Sequence, residues 1–267
     1  MVRKTRAACF NLIFPDDCRL CEQPLIGISR IPVCASCLAL PQPLSSEFFC
    51  QSCKTPFVEP YSLDERGLCA VCRESLVNFD AAYSFGSFEG SLQQLIHLFK
   101  YGKVESLAGP LSRLLLRALP REGNYDFIMA MPMHWRKQWE RGFNQAELLA
   151  LPVAKRFGLK LAKNLRRKRY TKAQAGLNDR ERQKNLEGSF LVRRAEQLSG
   201  KRVLLIDDVF TTGATSRAAA EALKNAGVAH VAVLTLARVD RRISQTTSSA
   251  SRIPRPATAV LSDTGTG

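Results

Sequence analysis

The 267-residue chain is short of acid. It carries 24 Asp and Glu against 39 Lys and Arg, a formal charge of +15 with a sequence pI near 9.7. Such a balance makes polyanions the first partners to consider, whether nucleic acid, membrane phosphate or a phosphorylated small molecule. Long apolar runs are also missing: no stretch approaches the roughly 20 residues that span a bilayer, so no transmembrane helix is expected. There is no GxxxxGK[ST] loop and no GxGxxG after a strand, which argues against ATPase and dinucleotide readings. Near the start, Arg3, Lys4 and Arg6 precede an apolar run from Ala7 to Phe14. Asn11 interrupts that run, Pro15-Asp16-Asp17 ends it, and no small-residue cleavage pattern follows, so no export signal is expected. What is not missing is hydrophobicity: 45% of residues are apolar, enough to exclude disorder throughout and to fill one large domain or two smaller ones.

Cysteine is abundant and clustered. Eight of the nine cysteines form four CxxC pairs, Cys18/Cys21, Cys34/Cys37, Cys50/Cys53 and Cys69/Cys72, and Cys9 is left over as a simple thiol. Two thiols separated by two residues point at one ion from a tight turn, so the pairs read as two tetrahedral zinc sites with four thiolates each. A disulfide framework would need an oxidising compartment; without an export signal, a reduced, cytoplasmic chain is expected. Three pairings are open, sequential or interleaved. The intervals within each half suit a β-hairpin ribbon and favour the sequential one, Cys18, Cys21, Cys34 and Cys37 on one ion and Cys50, Cys53, Cys69 and Cys72 on the other. Closed four-thiolate shells are structural, not catalytic.

The composition changes near residue 78, giving a zinc-ribbon domain over 1–78 and a second domain over 79–238. Beyond the change, strands and helices alternate. Ala81–Phe88, Phe127–Met131, Val203–Ile206 and Val231–Ala237 read as strands, and Ser91–Lys100, Ser106–Leu119, Asn144–Phe157 and Thr215–Ala226 as helices. The alternation predicts a mostly parallel α/β sheet flanked by helices. Residues 239–267, rich in Ser, Thr, Arg and Pro, are expected to form a disordered basic tail.

The most informative stretch runs from Val203 to Thr215. A buried apolar strand delivers Asp207 and Asp208 to its C-terminal edge, and a short loop of hydroxyls and glycine then opens a helix, the place where open α/β sheets bind ligands. The hydroxyls of Thr211, Thr212 and Thr215 and the backbone amides around Gly213 and Ala214 suit a phosphate. Asp207 and Asp208 suit the vicinal hydroxyls of a ribose.

This stretch resembles the 5-phosphoribosyl 1-diphosphate (PRPP) signature of the type I phosphoribosyltransferases. The wider chain is similar to the ComF family (competence protein F, also the GntX group), in which a Cys-rich zinc ribbon precedes a phosphoribosyltransferase domain. The matching pieces are the CxxC pairs, Phe99-Lys100-Tyr101-Gly102, Met131-Pro132-Met133-His134, Arg141-Gly142-Phe143-Asn144-Gln145, then Thr171, Gln174, Leu177, Arg180, Arg182, Asn185 and Phe190, and the Val203–Thr215 stretch. The resemblance covers about residues 10–238. It implies PRPP with Mg2+ as ligand, Asp207 and Asp208 on the ribose, and Asp207 to Thr215 as the PRPP-binding segment. It also implies a pyrophosphate loop containing Met133, His134, Trp135 and Arg136, supported by Arg141 and Asn144, and a role in competence and DNA uptake. The acceptor is open, and so is the choice between a transferase and a non-catalytic single-stranded DNA-binding component that retains PRPP or nucleotide recognition.

Most of the charge has one address. Residues 155–184 hold twelve basic and two acidic residues, a net of +10 that suggests an anionic partner. Arg166, Arg167, Lys168 and Arg169 are its densest run and the candidate contact to a single-stranded DNA backbone or to the phosphates of PRPP. His97 reads as a packing residue on an apolar helical face, and His134 as the better functional histidine. Trp135 and Trp139, four residues apart, read as packing against the domain; a partly exposed pair beside basic residues would suit single-stranded nucleic acid.

Overall fold

The computed structural model describes residues 17–25, 29–74, 78–120, 123–168 and 188–239. Cys9, Arg169, the matching positions from Thr171 to Asn185 and the tail from 240 to 267 lie outside the described residues.

The N-terminal region is built on thiols instead of a core of its own. It contains α1 (Ala35–Ala39), the short antiparallel pair β1 (Phe48–Phe49) and β2 (Pro56–Phe57), and α2 (Ala70–Glu74). The chain then alternates: β3 (Ala81–Ser87), α3 (Gly90–Lys100), α4 (Ala108–Ala118), β4 (Phe127–Ala130), α5 (Trp135–Arg141), α6 (Gln145–Arg156) and β5 (Leu161–Ala162). After these come β6 (Leu165–Arg167), β7 (Phe190–Val192), β8 (Arg202–Phe210), α7 (Ala214–Asn225) and β9 (His230–Arg238). Five strands form one sheet in the order β3-β9-β8-β4-β5, every pairing parallel, and β6 and β7 make a separate antiparallel pair.

A strand's side chains alternate between faces, and β8 shows how that divides the core. Leu204 and Ile206 join α3, α4 and α6 on one face, through Leu92, Leu95, Ile96, Phe99, Leu111, Leu115, Leu149 and Val153. Val203 and Leu205 join α7 on the other, through Ala219, Ala220 and Leu223. Both faces are covered, which explains the unbroken apolar run. The ribbon splits the same way: Cys18 and Cys37 pack into the first cluster, and Cys50, Cys53, Cys69 and Cys72 into the second.

The ribbon also covers the open side of β3. Leu44 N–H donates to Phe85 O at 2.7 Å and Ala82 N–H to Ser52 O at 3.0 Å, satisfying groups that an edge strand leaves exposed. Gly86 permits this approach, because a Cβ there would lie 2.7 Å from Gln42 O. Two differences from the sequence expectations bear on the site. Strand β8 continues to Phe210, so both aspartates sit within it, and a short helix, α5, stands where only a loop was expected.

Candidate functional site

The carboxyl ends of β4 and β8 lie side by side, tied by Met131 N–H to Ile206 O at 2.7 Å. On β8, Asp207 and Asp208 are adjacent and half-buried. Asp207 Oδ1 accepts from Asp208 N–H at 2.9 Å. Desolvation, followed by the neighbouring Asp208 carboxylate, pushes the Asp207 carboxyl up to about 7; Lys100 and Arg167 pull in the opposite direction. Lys100, the last residue of α3, binds Asp208 directly, Nζ to Oδ2 at 2.9 Å, with both side chains 14% exposed. Arg167 approaches from β6. The acid pair is therefore flanked by a cation from each of two different elements. Lys100 had no assigned role in the sequence; its only signal was its place in the Phe99-Lys100-Tyr101-Gly102 match.

Past the acids, Thr211, Thr212 and Gly213 form the loop and Ala214 opens α7. Gly213 has φ +75°, and a Cβ there would meet Phe210 Cζ at 2.6 Å, so both backbone conformation and space require glycine. Ala214 N–H donates to Thr212 Oγ1 at 3.3 Å. Thr211 is exposed and Thr212 and Thr215 are half-buried, leaving hydroxyls and the amides of a twelve-residue helix at one corner of the sheet. Behind the loop lies Arg217, 6% exposed, its Nη1 3.3 Å from where a Gly213 Cβ would stand. A cation one turn into an Ala-rich helix carries no sequence signal, and sequence reasoning missed it.

Across from the loop is a wall of positive charge. Met133 and His134 form a short connection from β4, and Trp135 and Arg136 stand on the first turn of α5. His134 caps that helix, its Nδ1 accepting from Arg136 N–H at 3.3 Å. The His134 imidazole is held below its ordinary value, first by desolvation and then by Arg136, Arg167 and Lys137. Lys137 is lowered too, by desolvation and then by Arg167 and Arg141. Arg136, Lys137, Arg141 and Arg167 thus crowd one another around a neutral His134, and an anion would relieve them. Asn144 anchors the connection: Nδ2 donates to Met131 O at 3.1 Å while Oδ1 caps α6 by accepting from Ala146 N–H at 3.1 Å. Arg141 donates to Gln145 Oε1 at 3.0 Å and lies over the Tyr101 ring at 5.4 Å.

The densest basic run divides by strand alternation. Arg166 and Lys168 are exposed, whereas Arg167 turns inward, half-buried, over the Phe190 ring and toward Asp207. The tryptophans do not pack against the domain as expected; Trp135 is 64% and Trp139 86% exposed, because α5 buries none of its residues. His97 is likewise exposed, between Phe88 and Tyr101 at centroid distances of 5.7 and 5.6 Å, since the apolar face of α3 is filled by leucine, isoleucine and phenylalanine.

The cysteines gather as Cys18, Cys21, Cys34, Cys37 and as Cys50, Cys53, Cys69, Cys72, the sulfurs of each group within 4.8 Å of one another. Both groups fit a tetrahedral zinc ion held by four thiolates. Backbone amides donate to sulfur from Cys34 to Cys18 at 3.3 Å, Cys37 to Cys34 at 3.4 Å and Cys69 to Cys50 at 3.4 Å, the polarity a thiolate needs. Hydrogen bonds from Cys53, then Cys69 and Cys72, pull Cys50 down, and the same crowding, led by Cys50, pushes Cys72 up.

The second knuckle reaches the Thr211–Gly213 loop. Arg238, ending β9 and 4% exposed, donates from Nη1 to Cys53 O at 2.7 Å and from Nη2 to Thr55 Oγ1. Its guanidinium lies over the Phe210 ring at 5.2 Å, and Phe210 is the ring that abuts Gly213.

The family model for the phosphoribosyl transferase domain matches residues 144–255. With the parallel sheet and the two four-cysteine groups, this defines a type I phosphoribosyltransferase fold preceded by a zinc ribbon. Among curated relatives, the "DNA utilization protein YhgH" of Salmonella typhimurium is 32% identical over 235 residues, 85% of this chain and 99% of the relative. The "Competence protein F" of Haemophilus influenzae is 30% identical over 179 residues, 64% of this chain and 78% of the relative. The chain belongs to the ComF family. Among solved structures, the glutamine PRPP amidotransferase from B. subtilis complexed with ADP and GMP is 21% identical at a TM-score of 0.35. The match covers 49% of this chain and 26% of that one, so this chain spans about a quarter of its length.

Proposed function

We propose that this chain binds PRPP with Mg2+ at the carboxyl edge of its sheet and acts in the handling of incoming DNA. The observation that carries the first part is the facing arrangement: a half-buried acid pair between a hydroxyl-lined helix N-terminus and a wall of crowded cations. The 5′-phosphate sits on Thr211 to Thr215, with Arg217 behind it. Asp207 and Asp208 take the ribose hydroxyls, which displaces Lys100 from its ion pair and leaves its ammonium beside the ligand. The diphosphate lies along Met133 to Arg136, where Lys137, Arg141 and Arg167 supply charge and Asn144 holds the loop. Mg2+ carried on the diphosphate would supply neutralising charge there, beside the carboxylates of Asp207 and Asp208.

The chemistry this arrangement suits is displacement at C1 of the ribose. The C1–O bond to diphosphate breaks with the electron pair leaving on diphosphate, positive charge develops on the sugar in an oxocarbenium-like transition state, and an acceptor nucleophile closes on C1. Asp207 and Asp208 lie where they stabilise that charge. The DNA role is supported by the names of the two relatives, and a cytoplasmic location by the thiol-rich ribbon. A non-catalytic, single-stranded DNA-binding role is favoured by one observation, the outward Arg166 and Lys168 beside the site.

Calorimetric titration with PRPP and Mg2+ against wild type and the Asp207→Ala/Asp208→Ala variant tests the reading. Heat from the wild type alone is expected, and equal heats from both would overturn it. Pyrophosphate release across a panel of bases and nucleosides then separates transferase from binder.

A further inference from the structure

Helix α5 is the least embedded element of the second domain, yet it carries both tryptophans of the chain. At spacing i, i+4 they share one side of the helix. Trp139 is 86% exposed and Trp135 64%, and Tyr101, where α3 ends, is 67% exposed. Arg141 joins the two helices by lying over Tyr101 at 5.4 Å, and Lys103 Nζ donates to Glu140 O at 3.4 Å across the same gap. Arg136 lies over Trp135 at 5.3 Å, while the imidazole of His134 lies at 5.5 Å. Three exposed rings are thus interleaved with Arg136, Lys137, Arg141 and Lys103, and Glu140 is the one acid on α5.

A protein partner that sought apolar area would find little here besides aromatics standing among like charges. An unpaired nucleic acid strand offers what both components lack: flat π-faces for the rings and phosphates for the cations. A duplex hides its base faces in the stack, so the fit is to single strands.

We propose that α5 and the adjoining end of α3 form a stacking platform for single-stranded nucleic acid, with Trp139, Trp135 and Tyr101 taking unstacked bases and the interleaved cations taking backbone phosphates. The proposal rests on the DNA-handling part of the reading above; because Arg136, Lys137 and Arg141 also face the diphosphate, its test is placed on Trp139, which has no part in PRPP binding. It puts the strand on the cation-wall side of the site and assigns the exposed tryptophans a role that packing cannot supply.

Because both tryptophans stand on α5, intrinsic tryptophan emission reports on this surface alone. Metal-loaded, full-length protein is titrated with a labelled thymidine strand of roughly 16 nucleotides and with an abasic deoxyribose-phosphate strand of equal length. Anisotropy follows binding and emission follows stacking. The thymidine strand is expected to quench emission and the abasic strand to leave it unchanged. Trp139→Ala should weaken the thymidine strand about tenfold or more, Trp139→Phe should restore most of the affinity, and neither should alter abasic binding. PRPP titration of the same variants checks folding separately. Binding without quenching, or equal affinity of wild type and Trp139→Ala, would overturn the platform while leaving DNA binding elsewhere on the chain. Binding of neither strand would remove both the platform and the DNA reading, whatever the result with PRPP.

Discussion

The two cysteine knuckles share a ligand set and differ in what surrounds it. In the first, Cys18 and Cys37 are buried, Cys34 is half-buried and Cys21 is exposed; in the second, all four are buried. The first packs against the α3–α4–α6 face through Cys18 and Cys37. The second is enclosed by the α7 face, covers the edge of β3 through Ser52 and holds Arg238 through Cys53 and Thr55. The same four thiolates therefore act as a peripheral staple in one place and as part of the site's foundation in the other.

The largest effect should come from breaking the second knuckle. Cys53→Ser removes a buried ligand from a site without a core to replace it, at a cost above about 4 kcal/mol. Thermal denaturation should show a collapsed midpoint and calorimetry no PRPP heat. Chelation should reproduce both.

Next is the link itself. Arg238→Met keeps the bulk over Phe210 but deletes the donors to Cys53 and Thr55, costing about 2–3 kcal/mol. It should weaken PRPP without loss of bound metal, measured by calorimetry and metal content. Unchanged PRPP affinity would show that the knuckle supports the fold but not the loop.

Asp207 sharpens the contrast from the opposite direction, since it is a group whose burial destabilises the fold. Its folded value, about 7, lies above the ordinary value of 3.8, so the folded chain binds this proton more tightly than the unfolded one. The penalty is absent below the unfolded value, grows as pH rises through the interval and is complete above about 7. Asp207→Asn should then stabilise the protein by about 1–2 kcal/mol at pH 8, less at pH 5, while PRPP binding is lost. Melting midpoints at the two pH values check it. The smallest effect belongs to Cys21→Ser, where an exposed ligand is replaced. A modest fall in midpoint with PRPP affinity intact is expected; a loss equal to that of Cys53→Ser would erase the distinction between the knuckles.

The parts legible in the sequence were those with short-range signatures. CxxC spacing, the apolar run of β8 and the Asp-Asp-Thr-Gly order are all contained within a few residues, and the structure places each group together. What escaped was long-range or weakly patterned. Lys100 reaches Asp208 from a helix more than one hundred residues earlier, and Arg167 differs from Arg166 and Lys168 only by strand parity. Arg217 lies under a loop whose course the sequence does not specify. Trp135 and Trp139 read as packing because tryptophan is usually covered, and nothing in the seven residues of α5 says that both rings stand exposed.

The bond between Arg238 and Cys53 joins residues 185 positions apart. During synthesis the ribbon leaves the ribosome first and can take up its metal early. Its seat on the sheet exists only after β9, the last of the described strands, has been made and inserted between β3 and β8. Closing so distant a contact is slow, so the ribbon, translated before the sheet, is fastened to it late, and the Thr211–Gly213 loop gains its support only when the two regions meet.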